Sequence, residues 1–188
     1  PERLVLPPQI RYDERYMQRG LRREGPCVPA RQGPGEGNSM ILAVDMGNSN
    51  IKIGVLEDPE DVIEERGTTS YNKSSLEYAT DIMSVLNFHD IDRSEVEGAI
   101  ISSVVPPLTG IFQSAVRKVM GFDAMIVNPA MKMDISLHRF KYPKGVGPDL
   151  VVGAEAAYTH YPAPCVIVNL GTATTVTAVD ADGDFVLR

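Results

Sequence analysis

Short apolar runs alternate with amphipathic stretches from residue 40 onward, the pattern of strands interleaved with helices. Residues 40–45 form a continuous apolar run ending in an acid, as a buried strand would. Residues 50–57 and 62–70 follow as a second and a third strand. Residues 74–87 predict a helix: Leu76, Ala79, Ile82, Met83 and Leu86 share one face, and Ser74 or Ser75 supplies the N-cap. Residues 98–105 predict a buried strand. Pro106 and Pro107 then open a helix through Met120, with Leu108, Ile111, Phe112, Ala115, Val116 and Val119 as its stripe, and Gly121 ends it. Residues 124–127 predict a short strand, 147–160 a helix, and 165–170 another apolar strand. Residues 175–180 and 185–187 read as a hairpin around Asp182 and Gly183. The class is α/β.

Residues 1–39 break this pattern. They are rich in Arg, Pro and Gly and show no sustained period, so they read as a disordered or non-native leader. Met40 is the expected initiator, with upstream translated sequence before it; a basic tail with its own partner is the alternative. The net charge of −7 divides unevenly, with seven arginines against five acids in the leader and eleven basic against twenty acidic groups after it. An acidic body lacks the basic stripe of a nucleic-acid groove, so no nucleic-acid partner is expected. No apolar run approaches the roughly 18 residues of a membrane span, and no secretion signal is legible, so no membrane partner is expected. The two cysteines, Cys27 and Cys165, have no metal-ligand spacing and fit a reducing cytoplasm.

An internal echo changes the picture. Residues 41–49 read strand, acid, any residue, Gly, small polar; residues 166–175 read strand, amide, any residue, Gly, small polar. Each copy is followed by a second strand. Two copies 124 residues apart suggest a duplicated domain, with a first domain over 40–160 and the opening strands of a truncated second over 161–188.

Three motifs carry chemistry. In Asp45-Met46-Gly47-Asn48-Ser49-Asn50-Ile51-Lys52, a tight turn would aim backbone N–H groups into one concavity, and Gly47 would let a phosphate approach. Asp45 can hold Mg²⁺ and Lys52 can neutralise phosphate charge. The same composition also fits an ordinary hairpin. In Gly171-Thr172-Ala173-Thr174-Thr175, a hydroxyl cluster would grip the other end of a polyphosphate, although Thr also suits a strand entry. Gly147-Pro148-Asp149-Leu150 puts Asp149 in the first turn of a helix, as a stabilising acid or as a general base.

Together these motifs, with Ser-Ser-Val-Val-Pro-Pro-Leu at 102–108, resemble type III pantothenate kinase across residues 40–188. The resemblance implies an actin-like ATPase (ribonuclease H-like) fold of two related domains. It implies ATP-dependent phosphorylation of pantothenate to 4′-phosphopantothenate, the first step of coenzyme A biosynthesis. The implied requirements are ATP, Mg²⁺ and a monovalent cation (K⁺ or NH₄⁺), in a cytoplasmic homodimer with pantothenate bound at the dimer interface. Carried over by position, 45–52 and Thr172 are ATP contacts, and Asp149 is the proton acceptor. Phe140, Gly147, Pro148, Asp149 and Leu150 contact substrate, and Asn169 stands where the cation binds. Three positions depart from the pattern. Asn169 replaces an Asp, Leu150 replaces an Arg, and Phe140 replaces a Tyr that Tyr142 would have to supply. The family continues beyond the equivalent of Arg188, so an open sheet edge, an incomplete adenine pocket and inactivity of the isolated 188-residue chain are expected. The alternatives are a non-catalytic nucleotide-binding paralogue with a regulatory role, or another actin-like small-molecule kinase.

The remaining candidates read as structural. His89, His138 and His160 have no evident partner. The acids Asp58, Glu60, Asp61, Glu64 and Glu65 read as a solvated turn, and Asp180, Asp182 and Asp184 as a hairpin turn rather than a calcium loop.

Overall fold

The computed structural model describes residues 40–57, 62–128, 131–139 and 145–187; the leader with Cys27, and Phe140 with Tyr142, lie outside them. The first sheet is organised by strand parity, since alternate side chains point to opposite faces. In β1 (Met40–Met46), Leu42, Val44 and Met46 are buried on one face, leaving Ala43 and Asp45 for the other. β2 (Asn50–Leu56) pairs antiparallel with it, setting Lys52 opposite Asp45. β3 (Val62–Thr68) pairs antiparallel with β2, setting Glu64 opposite Gly54. β4 (Val96–Ser103) runs parallel to β1 with Ser102 opposite Asp45, and β5 (Met125–Ile126) runs parallel to β4. The order is β3-β2-β1-β4-β5. Parity therefore collects Asp45, Lys52, Glu64 and Ser102 on one face.

The opposite, apolar face is covered by α1 (Ser75–Phe88) and α2 (Pro106–Met120). Ser74 caps α1 through a reciprocal box: its side chain accepts from the Glu77 N–H, and the Glu77 carboxylate accepts from the Ser74 N–H at 2.8 Å. Proline opens α2, and Gly121 at φ 81° ends it in the left-handed region that glycine enters without strain. Tyr78 and Phe112 meet between the helices with ring centroids 5.1 Å apart, and both are fully buried. Each such ring contributes roughly 2–3 kcal/mol of burial.

A second sheet, β6 (Cys165–Leu170), β7 (Thr174–Val179) and β8 (Phe185–Leu187), is antiparallel in that order. Helix α3 (Pro148–His160) packs against β4, β6 and β7. Its buried residues, Val151 and Ala154, join Ile135, Leu137, Val146, Val179 and Phe185 in a second apolar cluster. The chain before α3 is clipped to the β7–β8 hairpin. Ser136 bridges Asp184, while His138 Nδ1 and Arg139 Nη2 reach the buried Asp184 carboxylate at 2.9 and 2.8 Å.

Several elements differ from the sequence reading. β4 starts at Val96, two residues early, because a 3-10 turn (Arg93–Glu95) closed by an Asp92–Glu95 capping box delivers the chain directly into the sheet. It stops at Ser103, whose Oγ accepts from the Val105 N–H at 3.1 Å and turns the chain toward α2. Glu64 and Glu65 are not in a solvated turn but in β3, on opposite faces; Asp58, Glu60 and Asp61 lie outside the described residues. His89 is partnered, its Nε2 lying 3.0 Å from Glu65 Oε1, as His138 is by Asp184. The 180–184 segment is the expected hairpin turn, with Asp180 Oδ1 accepting from the N–H groups of Asp182 and Asp184 at 3.0 Å.

Candidate functional site

The β1–β2 loop turns on Gly47, whose N–H donates to Asn50 O at 2.9 Å. A Cβ there would stand 3.1 Å from that same oxygen, so a larger residue would push the turn open. Met46 and Ile51 are buried in the first core, so only their backbone is available to a ligand, whereas Asn48, Ser49 and Asn50 are exposed. Thr69 props the loop from below: its Oγ1 donates to Gly47 O at 2.6 Å and its N–H to Ser49 O at 3.0 Å. That second task ends β3 at Thr68.

The β6–β7 loop is the other jaw. Gly171 N–H donates to Ala173 O at 3.3 Å, and Thr172 Oγ1 lies 2.9 Å from Ser49 Oγ. The two Gly-containing loops therefore touch, although 123 positions separate the paired hydroxyls.

Below them is a cleft of about 400 Å³, lined by Asp45, Lys52, Glu64 and Ser102 from the first sheet, Asp149 from α3 and Asn169 from β6. Val127 and Val152 add apolar wall. Asp149 enters as the second residue of α3, whose N-cap is Gly147 without a side-chain cap bond. Its carboxylate lies close over Gly147, near the positive end of the helix dipole. Desolvation by the cleft walls raises the Asp45 pKa above the ordinary aspartate value; the Lys52 cation opposes this, and the like charges of Asp149 and Glu64 add to it. Lys52 is itself engaged, with Nζ 3.2 Å from Glu64 Oε1.

Two hydroxyls, Ser102 Oγ and Thr175 Oγ1, are buried without a hydrogen-bond partner among the described residues. Ser102 is the register partner of Asp45, and Thr175 that of Asn169. Carboxylate plus hydroxyl is a hard-oxygen donor pair suited to Mg²⁺, and the Asn169 amide with the Thr175 hydroxyl is an all-oxygen pair suited to a monovalent cation. No cluster of three His, Cys, Asp or Glu able to hold a metal ion occurs among the described residues. A Mg²⁺ ion here would thus take few protein ligands and lean on substrate phosphates, as is usual for that ion.

The structure brings Asp45, Lys52, Asp149 and Asn169 into one cleft and sets Ser49 against Thr172. Leu150 is not among the residues lining this cleft and packs, partly buried, on the second apolar cluster, and Pro148 serves as the first helical residue. Phe140 is outside the described residues. Sequence reasoning missed Glu64, Thr69 and Ser102. Only Ser102 carried a signal, as a polar residue within an apolar strand.

Residues 41–186 match a family model described as type III pantothenate kinase. The type III pantothenate kinase of Bifidobacterium animalis subsp. lactis (strain AD011) is 42% identical over 144 residues, covering 77% of this chain and 57% of that protein. That of Brevibacillus brevis (strain 47) is 40% identical over 141 residues, covering 75% and 55%. The chain thus spans about half the length of the curated relatives it matches. A solved reductive activator for a corrinoid, iron-sulfur protein superposes with a TM-score of 0.50 at 10% identity, covering 81% of this chain and 31% of that one, a likeness of fold alone. The fold is the actin-like ATPase fold, and the chain belongs to the type III pantothenate kinase family.

Proposed function

We propose that the whole protein transfers the γ-phosphoryl group of ATP to the hydroxyl of pantothenate, giving 4′-phosphopantothenate and ADP at the first step of coenzyme A biosynthesis. The observation that carries this reading is the convergence of Asp45, Lys52, Asp149 and Asn169 on one cleft beneath two touching Gly-containing loops. In this reading the N–H groups and side chains of 47–50, with Lys52, bind the phosphates from one side, and Thr172 binds them from the other. Met46 and Ile51 contribute backbone only. Asp149 accepts the hydroxyl proton as that oxygen bonds to the γ-phosphorus and the bond to the bridging oxygen of ADP breaks. Mg²⁺ near Asp45 and Ser102, and K⁺ or NH₄⁺ near Asn169, supply positive charge where negative charge develops. Gly147 and Pro148 shape the pantothenate side, with Phe140 and Leu150 assigned there by family position.

The proposal includes a cytoplasmic homodimer, with no nucleic-acid or membrane partner; no described helix is long and apolar enough to cross a membrane. It also includes a first domain over 40–160 and the opening strands of a second over 161–188. The separate second sheet β6-β7-β8 supports the start of a new unit near 161, although α3 and residues 135–146 pack into its apolar cluster.

The test is pantothenate- and potassium-dependent ADP release by the full-length protein, with Asp149→Asn beside it. Loss of a general base lowers kcat by about 10²–10⁴-fold. Turnover undiminished in Asp149→Asn would remove the base assignment. Tight ATP binding by a folded dimer that turns nothing over would replace the kinase with a non-catalytic paralogue.

A further inference from the structure

Glu64 has no part in the reaction just described, yet it reaches the same cleft. Strand parity puts it on the face of Lys52 and Asp45, and both its carboxylate oxygens approach Lys52 Nζ, at 3.2 and 3.4 Å. Among the described residues lining the cleft, Lys52 is the only cation, against Asp45, Glu64 and Asp149. The next β3 residue on that face, Arg66, lies opposite Lys52 in register but does not line the cleft. Glu64 therefore holds the one positive charge among the described lining residues that would attract a phosphate.

We infer that Glu64 is an internal anion that competes with nucleotide phosphate for Lys52, and so sets the affinity of the cleft for polyphosphates. This rests on the reading of Lys52 as a phosphate contact. The competition has a definite form. For Lys52 to turn to a phosphate oxygen, its bond to Glu64 must lengthen or break, and the Glu64 charge must then stand beside the incoming anion. Glu64 retains 48% of its side-chain exposure and Lys52 35%, so water screens the pair and the competition is modest. The carboxylate acts on charge, not on shape. Its effect should reach ligands that carry phosphate and spare those that do not.

The experiment measures dissociation constants of ATP and of adenosine for wild type, Glu64→Gln and Lys52→Ala, all in the full-length protein at one ionic strength. Gln keeps the length and polarity of Glu64, and matching thermal unfolding confirms an intact fold. The expected result is ATP binding about threefold tighter in Glu64→Gln, adenosine binding unchanged, and ATP binding weakened in Lys52→Ala. If Lys52→Ala weakens ATP while Glu64→Gln leaves it unchanged, the competition is overturned and the phosphate role of Lys52 survives. If Glu64→Gln shifts ATP and adenosine alike, Glu64 acts by shaping the cleft and the inference is overturned. If neither substitution moves ATP, the phosphate role of Lys52 fails and the inference fails with it.

Discussion

Replacing Gly147 by Ala perturbs the proposed base without touching it. Gly147 sits at φ −61° and ψ 135°, values that alanine adopts freely, so the backbone has no reason to move. The added methyl carbon, however, would fall well inside contact distance of Asp149 Oδ1, with Val104 Cγ1 at 3.7 Å on another side. The carboxylate is the mobile partner, and restoring an ordinary contact displaces it by about one ångström, an error that costs on the order of 10²-fold in rate. Stability changes little. Alanine is a poorer N-cap than glycine by up to about 1 kcal/mol, and the stiffer unfolded chain returns about 0.4–1 kcal/mol. The assay is steady-state ADP release alongside thermal unfolding and ATP binding. The expected result is kcat down about a hundredfold, with ATP affinity unchanged and the unfolding midpoint within a few degrees. Wild-type kcat in Gly147→Ala would refute the claim that the place of Asp149 matters to the chemistry.

Two further predictions concern stability. Because the Asp45 pKa is raised in the folded protein, the unfolded chain ionises first as pH rises. Stability therefore falls through the window from the ordinary aspartate pKa up to the raised one and stays lowered above it. Asp45→Asn should be more stable than wild type at pH 7 and gain nothing at pH values below the ordinary aspartate range; urea unfolding at both pH values tests this, and a destabilised Asn variant at pH 7 contradicts it. Gly67 in β3 faces a crevice of about 420 Å³ beneath α1, lined by Ile51, Ile53, Tyr78 and Phe112, and a Cβ there meets nothing within 4 Å. Gly67→Val should stabilise by about 1 kcal/mol through strand propensity and burial; an unfolding midpoint that falls instead would mean that the crevice closes over the added side chain.

Helix α2 is legible to the residue because proline and glycine punctuate its two ends and its stripe is unbroken. α1 is nearly so, since the Ser74–Glu77 box fixes its start whatever packs on it. The two Gly-containing loops are legible as a repeat because each needs a strand, a tight turn and a second strand in close succession. Glu64 is not legible, because an edge strand lends each residue a face only once its register with β2 is known. Ser102 and Asp45 lie 57 positions apart and become neighbours through a parallel pairing that no local signal specifies. Leu150 is instructive in the other direction. Its family position predicts a substrate contact, and its packing on the second core becomes visible only once the fold is known. The clasp of His138 and Arg139 on Asp184 escapes prediction because it joins a loop to a hairpin 45 residues away, and neither carries periodicity.

The membership of α3 has a mechanical consequence. Val151 and Ala154 root this helix in the second cluster, whereas Asp45 and Lys52 stand on strands of the first. Yet α3 also packs on β4 of the first sheet as well as on β6 and β7 of the second, so the separation of the proposed base from the proposed phosphate loop is set by packing between layers as well as by side-chain rotamers. Substitutions that loosen the seat of α3 on β4 would therefore shift Asp149 relative to Asp45 and Lys52 while touching neither Gly-containing loop.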